Sequence, residues 1–236
     1  MALTSLKAQD RLLDRQAASS IRQQIVIGAM PPRHRLVEVA LAGELEVSRG
    51  TIRSALSLLA NEGLVRQVAF TRWEVASASD REAWELYTLR AALEGLAARL
   101  AATMASDAER AELRGVFATL EAAVRDGRHE DATDADFAIH HTIAEMSGHR
   151  RLIGEHARLL LQVRFQMTHI GFMPRDYGAL VEDHRALTEA VAGGDAARAE
   201  RLAREHNAAE VERLQARIAA AESESKTNQT GERDDG

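Results

Sequence analysis

The chain of 236 residues contains no cysteine. Disulfides, thiolate metal sites and thiol nucleophiles are therefore excluded, and a reducing cytoplasm suits such a chain. Aromatic residues make up 4% of the sequence and there are three prolines. Ala, Leu, Arg and Glu dominate instead, a composition that favours helices over sheets. No run of about 18 apolar residues occurs, so no membrane span is expected. The opening MALTSLKAQD has no apolar stretch followed by a small-residue cleavage site, so no secretory signal is expected either. A cytoplasmic protein of two modest domains fits this length.

The formal charge is −6, which at first disfavours nucleic acid as a partner. The distribution says more than the sum. Residues 1–76 carry ten basic residues against seven acidic ones, a net of +3, which leaves −9 for the remainder. A basic front end on an acidic body suits a protein whose first segment alone meets phosphate.

In that front end, Leu13, Ala17, Ile21, Ile25 and Gly28 recur at helical spacing, and Pro31 and Pro32 stop the helix they predict. Two shorter helical patterns follow. The first buries Val39, Leu41, Ala42 and Leu45. The second opens at Ser48, a good N-cap, and buries Ile52, Ala55, Leu56 and Leu59. Only Glu46 and Val47 separate them, so the two helices must cross sharply. Asn61-Glu62-Gly63 closes the second helix, and Leu64–Ala69 and Trp73–Ala76 read as two strands joined by Phe70-Thr71-Arg72. Helix, helix-turn-helix and β-ribbon together make a winged helix over residues 1–79. Its second helix of the pair would enter the major groove of a DNA operator by its N-terminal end. Ser48, Arg49, Thr51 and Arg53 stand there, with Arg72 at the ribbon tip. Arginine grips guanine or phosphate bidentately, and hydroxyls at a helix N-terminus suit phosphate. A solvated helix face with no partner is the alternative for the same arginines.

The stretch LVEVALAGELEVSRGTIRSALSLLANEGLV resembles the helix-turn-helix of the GntR family, whose recurring core is VSR-x-x-(V/I)-R-x-AL-x-x-L-x-x-(E/D)-GL. The resemblance gives Arg49 and Arg53 the places of that family's DNA-contacting arginines. Thr51 stands where the family usually has proline, and Thr71-Arg72 replaces its Arg-Gly wing tip.

Beyond a polar joint at Ser77–Ser79 and an N-cap candidate at Asp80, the pattern predicts helices over 80–104, 107–126, 130–146, 149–170, 176–192 and 195–222. The breaks lie at Ser106-Asp107, Asp126-Gly127, Ser147-Gly148, Met173-Pro174 and Gly193-Gly194-Asp195. The expected fold is thus mostly α: a winged helix followed by an antiparallel bundle of about six helices over 80–222. A disordered tail over 223–236 is expected to follow.

Asp136 and His140 share one helix face, with Cβ atoms about 5–6 Å apart, and Phe137 and Ile143 turn that face inward. His184 lies among Leu180, Val181, Leu187 and Val191, and His206 near Leu202, Ala203 and Ala209. Buried, these four groups need partners. One divalent metal would satisfy them all and keep open positions for a ligand. Separate hydrogen bonds would satisfy them too, and His141 becomes the ligand in place of His140 if the helix phase is shifted.

Residues 80–215 resemble the FCD domain, the helical sensor of the FadR-type branch of GntR regulators. The resemblance rests on Leu89-Arg90-Ala91-Ala92-Leu93-Glu94, on Asp136 to His140 with Ser147-Gly148-His149, and on Asp183-His184, Gly194-Asp195, Ala199 and His206. It implies that Asp136, His140, His184 and His206 ligate zinc, nickel or manganese, and that a small organic acid acts as effector. Arg90, in phase with Leu86, Leu93 and Ala97, and Arg164, between Val163 and Met167, are candidate anchors for its carboxylate. A salt bridge from Arg90 to Glu94 or Asp136 is the alternative. The function expected is a repressor, working as a homodimer on a palindromic operator. Two other readings of the bundle stay open. One is a metal-dependent hydrolase with Glu145 or Glu182 as base, the other a metal-free dimerisation module.

Overall fold

The computed structural model describes residues 8–69, 72–174 and 176–231, with side chains described from residue 12 to residue 221. The chain divides into two compact units. One is Met1–Ser79 with Arg164–Phe172, and the other is Asp80–Val163 with Met173–Gly236.

The first unit contains α1 (Ala8–Val26), β1 (Arg35–Leu36), α2 (Glu38–Glu44), α3 (Arg49–Asn61), β2 (Val65–Val68) and β3 (Arg72–Val75). Three apolar faces close on one core of Ile21, Ile25, Ile52, Leu56, Leu59, Leu64 and Val75, each at most 2% exposed. The strands form one antiparallel sheet in the order β1-β3-β2, with Arg35 opposite Glu74 and Val65 opposite Val75. Glu46 adopts φ +53° between α2 and α3, and that left-handed residue turns the chain abruptly enough for the two helices to cross. Arg22 on α1 grips both carboxylate oxygens of Glu62 at the end of α3, at 2.8 and 2.6 Å. The last part of α7 (Arg150–Ile170) also belongs to this unit. There the Gln166 amide donates to the Ser77 carbonyl and accepts from the Ser79 N–H, each at 3.1 Å, and His169 donates to the Ile25 carbonyl at 3.1 Å.

Three expectations need correction in this unit. Val39 is 61% exposed, because residues two apart in a helix cannot share a face and α2 buries only Leu41 and Ala42. Leu45 is the C-cap of α2 and half-buried, and Leu13 is 38% exposed. The two-residue strand β1, unforeseen in the sequence, completes the sheet. Phe70 and Thr71 at the wing tip lie outside the described residues.

The second unit contains α4 (Asp80–Met104), α5 (Asp107–Arg125), α6 (His129–Met146), α7 up to residue 163, α8 (Tyr177–Ala192) and α9 (Ala196–Gly231). The predicted breaks are where the chain turns, with Gly127, Gly148 and Gly194 at positive φ. Ser106 opens α5 with a reciprocal capping box to Glu109. Asp80 begins α4 and its carboxylate pairs with Arg217 on α9 at 2.9 Å. Ala97, Ala98, Ala101 and Ala102 on α4 join Leu113, Leu120, Ile139, Leu187 and Ala203 in one core, small residues that let helices approach closely. Arg110 on α5 holds two helix ends at once. Its guanidinium donates to the Ala102 carbonyl in the last turn of α4, to the Ala105 carbonyl just beyond it and to the Val191 and Ala192 carbonyls of α8, at 2.8–3.2 Å. Where a tail was expected from 223, the backbone of α9 continues as helix to Gly231, and residues 232–236 lie outside the described residues.

Candidate functional site

Two regions carry chemistry, one in each unit. In the first, Ser48 caps α3 by accepting the Thr51 N–H at 3.0 Å, and the two hydroxyls lie 3.0 Å apart. Arg49 and Arg53 stand on the exposed side of α3, and Arg72 on β3 is exposed as well. Arg53 reaches Glu38 at the start of α2, with Nε 3.2 Å from Oε1 and Nη2 2.8 Å from Oε2. The Trp73 indole on β3 donates to the same Oε1 at 3.3 Å. The hydrogen bonds from Arg53 hold the Glu38 carboxyl below its usual range, against the opposing effect of desolvation. Arg72 donates to Glu74 at 3.1 Å, and Arg66 to the same carboxylate at 2.7 Å. Arg35, Arg53, Arg72, Gln67, Glu38 and Trp73 help to line a cleft of about 370 Å³ between the helix pair and the ribbon. Of the predicted residues, Arg53 and Arg72 share this cleft, Ser48, Arg49 and Thr51 stand together at the N-terminus of α3, and Glu38 is a neighbour that the sequence did not suggest.

In the second unit, Asp136 and His140 on α6, His184 on α8 and His206 on α9 converge. One ligand atom from each lies within 4.8 Å of all the others. The ring centroids of His140, His184 and His206 are 4.5–5.1 Å apart. His141, the alternative ligand, has a side chain 46% exposed and pairs with Glu145 instead, on the outer side of α6.

The surroundings fix which nitrogens face inward. His184 Nδ1 lies 2.8 Å from the Leu180 carbonyl, which only accepts, so Nδ1 carries the hydrogen. His140 Nδ1 lies 3.0 Å from Glu94 Oε2 and donates to that carboxylate. In the neutral rings both Nε2 atoms then present lone pairs, yet they stand 3.1 Å apart, and Asp136 Oδ1 comes within 2.7 Å of His184 Nε2. Three acceptors at such distances require positive charge among them, a proton or a cation. Asp136 Oδ1 and His206 Nδ1 are buried without a satisfied hydrogen bond. Donor atoms about 2.1 Å from a single ion would stand about 3–4 Å apart, so the four residues fit a divalent metal. Histidines whose outer nitrogen donates to a carboxylate or carbonyl are the usual form of metal-ligating imidazole.

The charges around this centre are strongly coupled. Burial pushes the His206 imidazole well below its usual range, and His184 and His140 add to the effect. Burial also opposes the charged form of His140, but the Glu94 and Asp136 carboxylates together outweigh it and the net direction is upward. Desolvation would raise Glu94, and Arg90 with His140 instead holds it well below the carboxylate range. Desolvation of Asp136 is likewise overcome by His184 and His140.

Glu94 is 3% exposed and sits behind the ligands. Besides His140 it accepts from Arg90 Nε at 2.7 Å, His156 Nε2 at 3.2 Å and Asn207 Nδ2 at 2.9 Å, joining α4, α6, α7 and α9. His156 and Asn207 were not anticipated, because their partner comes from another helix and leaves no spacing signal in their own. The salt bridge foreseen as the alternative for Arg90 therefore forms. It uses only Nε, however, and Nη2 is buried with no hydrogen-bond partner. Arg164 is half-buried and falls within Arg164–Phe172, which group with the first unit rather than with the histidines. Among the described residues, no helix is long and apolar enough to cross a membrane.

Comparison with known proteins agrees with both regions. The family of bacterial regulatory proteins of the gntR type matches residues 13–70, and the FCD domain matches residues 85–209. A protein of Paenarthrobacter nicotinovorans named "Probable D-xylose utilization operon transcriptional repressor" is 28% identical over 208 residues, 84% of this chain and 89% of that protein. The HTH-type transcriptional repressor GlaR of Escherichia coli (strain K12) is 28% identical over 194 residues, 79% of this chain and 88% of its own. The solved structure of E. coli McbR/YncC has the same fold, with a TM-score of 0.65 at 23% identity over 90% of this chain and 98% of that one. These families and relatives are transcriptional regulators, not enzymes, which sets the hydrolase alternative aside.

Proposed function

The chain belongs to the GntR family of bacterial transcriptional regulators, as a member with an FCD domain, and from that premise we propose that it is a repressor whose hold on operator DNA is set by a small carboxylate bound beside a divalent metal. Ser48, Arg49, Thr51, Arg53 and Arg72 are the residues assigned to DNA. Arginines and hydroxyls around the N-terminus of α3 supply phosphate contacts, and the arginines supply base contacts as well. A homodimer on a palindromic operator is the assembly that such a unit serves.

The observation that carries the sensor reading is the set of unsatisfied groups in one buried place. His206 Nδ1 and Arg90 Nη2 lack a hydrogen-bond partner, and Asp136 Oδ1, 2.7 Å from His184 Nε2, faces a lone pair unless a proton or a cation lies between them, an arrangement that costs free energy unless a ligand completes it. Asp136, His140, His184 and His206 would hold the metal, with zinc, nickel and manganese the candidates. When bound, the ion supplies a Lewis-acidic centre for carboxylate oxygen. Arg90 would then orient the effector through Nη2 while Glu94 keeps its other side fixed. A dimerisation module without metal is the reading this one displaces, since such a module has no need of the orphaned groups.

Effector control is a population shift between arrangements that fit and misfit the operator. The test uses the full-length protein. Duplexes enriched from a randomised pool are titrated by fluorescence anisotropy, with metal-loaded and metal-stripped protein, against a panel of small carboxylates. The expected result is a change in DNA affinity of about 5- to 150-fold with one carboxylate class, seen with metal and lost without it. An affinity indifferent to metal and to every carboxylate overturns the proposal.

A further inference from the structure

We propose that Glu38 is a positioning residue for base recognition, which occupies one edge of the Arg53 guanidinium and leaves a single donor fork aimed at guanine. The inference rests on the reading of the first unit as the DNA-contacting one and goes beyond it by assigning a role to a carboxylate.

A guanidinium carries five N–H donors in a plane. One pair lies along the Nε and Nη2 edge, and the other projects from the Nη1 and Nη2 end. Glu38 takes the first pair with both oxygens, at 3.2 and 2.8 Å. The carboxylate is itself held from a second side, since Trp73 Nε1 donates to Oε1 at 3.3 Å. Three elements thus meet at one anion: α2 through Glu38, α3 through Arg53 and β3 through Trp73. The Glu38 side chain is 22% exposed while that of Arg53 is 62% exposed, so the buttress lies inward and the guanidinium outward.

A free arginine takes whichever acceptor is nearest, and phosphates are the most abundant on DNA. An arginine already bound along one edge by a carboxylate loses that freedom. Its remaining end pair is parallel and matches the O6 and N7 acceptors of guanine in the major groove. A carboxylate at this place also repels phosphate, which lowers affinity for DNA of any sequence. Its presence therefore favours discrimination over attraction. Arg49, one turn earlier on α3, acts on Glu38 only through space, with no hydrogen bond to it, and remains the phosphate-type contact.

The roles of positioning and of mere structural support separate in one experiment. Full-length wild type, Glu38→Gln, Arg53→Ala and Trp73→Phe select duplexes from a randomised pool, and the bound fraction is sequenced. Affinity for the wild-type selected duplex and for a scrambled duplex is then measured by anisotropy at two salt concentrations, with circular dichroism as the folding check. Wild type should enrich a G·C pair in each half-site. Arg53→Ala should lose that preference by about 5- to 150-fold, the range for one bidentate pair. Glu38→Gln should lose at least about 5-fold of it, while its affinity for the scrambled duplex stays level or rises. Trp73→Phe should show the same direction more weakly. Preference retained within two-fold in Glu38→Gln overturns the proposal, as does an equal fall on selected and scrambled duplexes. If wild type enriches nothing, or Arg53→Ala keeps every base preference, the underlying reading of the DNA face fails instead.

Discussion

Replacing Glu94 with glutamine keeps the shape of a buried side chain and removes its charge, and four donors register the change. Arg90, His140, His156 and Asn207 all place N–H groups within 2.7–3.2 Å of its two oxygens. A glutamine offers one oxygen and turns an NH₂ toward the remaining donors, so at least one contact becomes donor against donor. Arg90, 3% exposed, is left as a buried cation without its hydrogen-bonded carboxylate. Breaking a buried pair in this way costs about 3–5 kcal/mol. Asp136 still acts on Arg90 through space, which favours the lower part of that range. For a unit of this size the melting midpoint should fall by about 6–20 °C. The same substitution removes the acceptor that orients His140, and loss of such a partner weakens metal binding about 10- to 100-fold. Thermal melting of metal-free protein by circular dichroism and competition with a chelator for the ion read the two effects separately. A variant that melts within about 2 °C of wild type and holds metal within two-fold would refute the argument.

Other consequences are as direct. Arg110→Met should destabilise the helical unit by about 2–4 kcal/mol in urea unfolding, because carbonyls at the ends of α4 and α8 lose a charged donor; a change under 0.5 kcal/mol contradicts this. Glu46→Gly should stabilise the first unit by about 0.5–1 kcal/mol, since φ +53° is strained for glutamate and free for glycine, and any loss of stability would count against it. Acidification of metal-free protein should unfold the helical unit. Glu94 and Asp136 are held well below their usual 4.5 and 3.8, so the unfolded chain binds more protons and the stability they add, full above about pH 4.5, is lost as pH falls further. His140, shifted upward, acts in the opposite sense and loses its contribution as pH rises through its folded value. A midpoint that does not move between pH 5 and pH 3 would contradict the assignment.

What was legible in the sequence was local. Helix breaks announced themselves through cap residues and glycines beside them, as at Ser106 and Gly194, because capping is settled within a few residues. The phase of α6 was legible only in part, since apolar neighbours favour His140 as inward yet leave His141 open, and it is the burial of His140 and the exposure of His141 that decide between them. Groups that owe their position to another element were not legible. Glu38 meets Arg53 and Trp73 across 15 and 35 residues, and Asn207 meets Glu94 across 113. No periodicity within α2 or α9 reports such a meeting. The strand β1 was missed for the same reason, since two residues show no alternation and their pairing is imposed by β3. Arg164 had the right phase for a core-facing residue, but phase does not say which core, and the end of α7 groups with the first unit.

On the proposed reading, Asp136, His140, His184 and His206 form a metal centre inside a DNA-binding regulator. Elemental mass spectrometry of the purified full-length protein, supplied with zinc, nickel and manganese and then dialysed, tests it most directly beside His184→Ala and His141→Ala. About one divalent ion per chain is expected in wild type and in His141→Ala, with loss of the ion in His184→Ala. Wild type that retains no ion, or His184→Ala that retains as much as wild type, would contradict it.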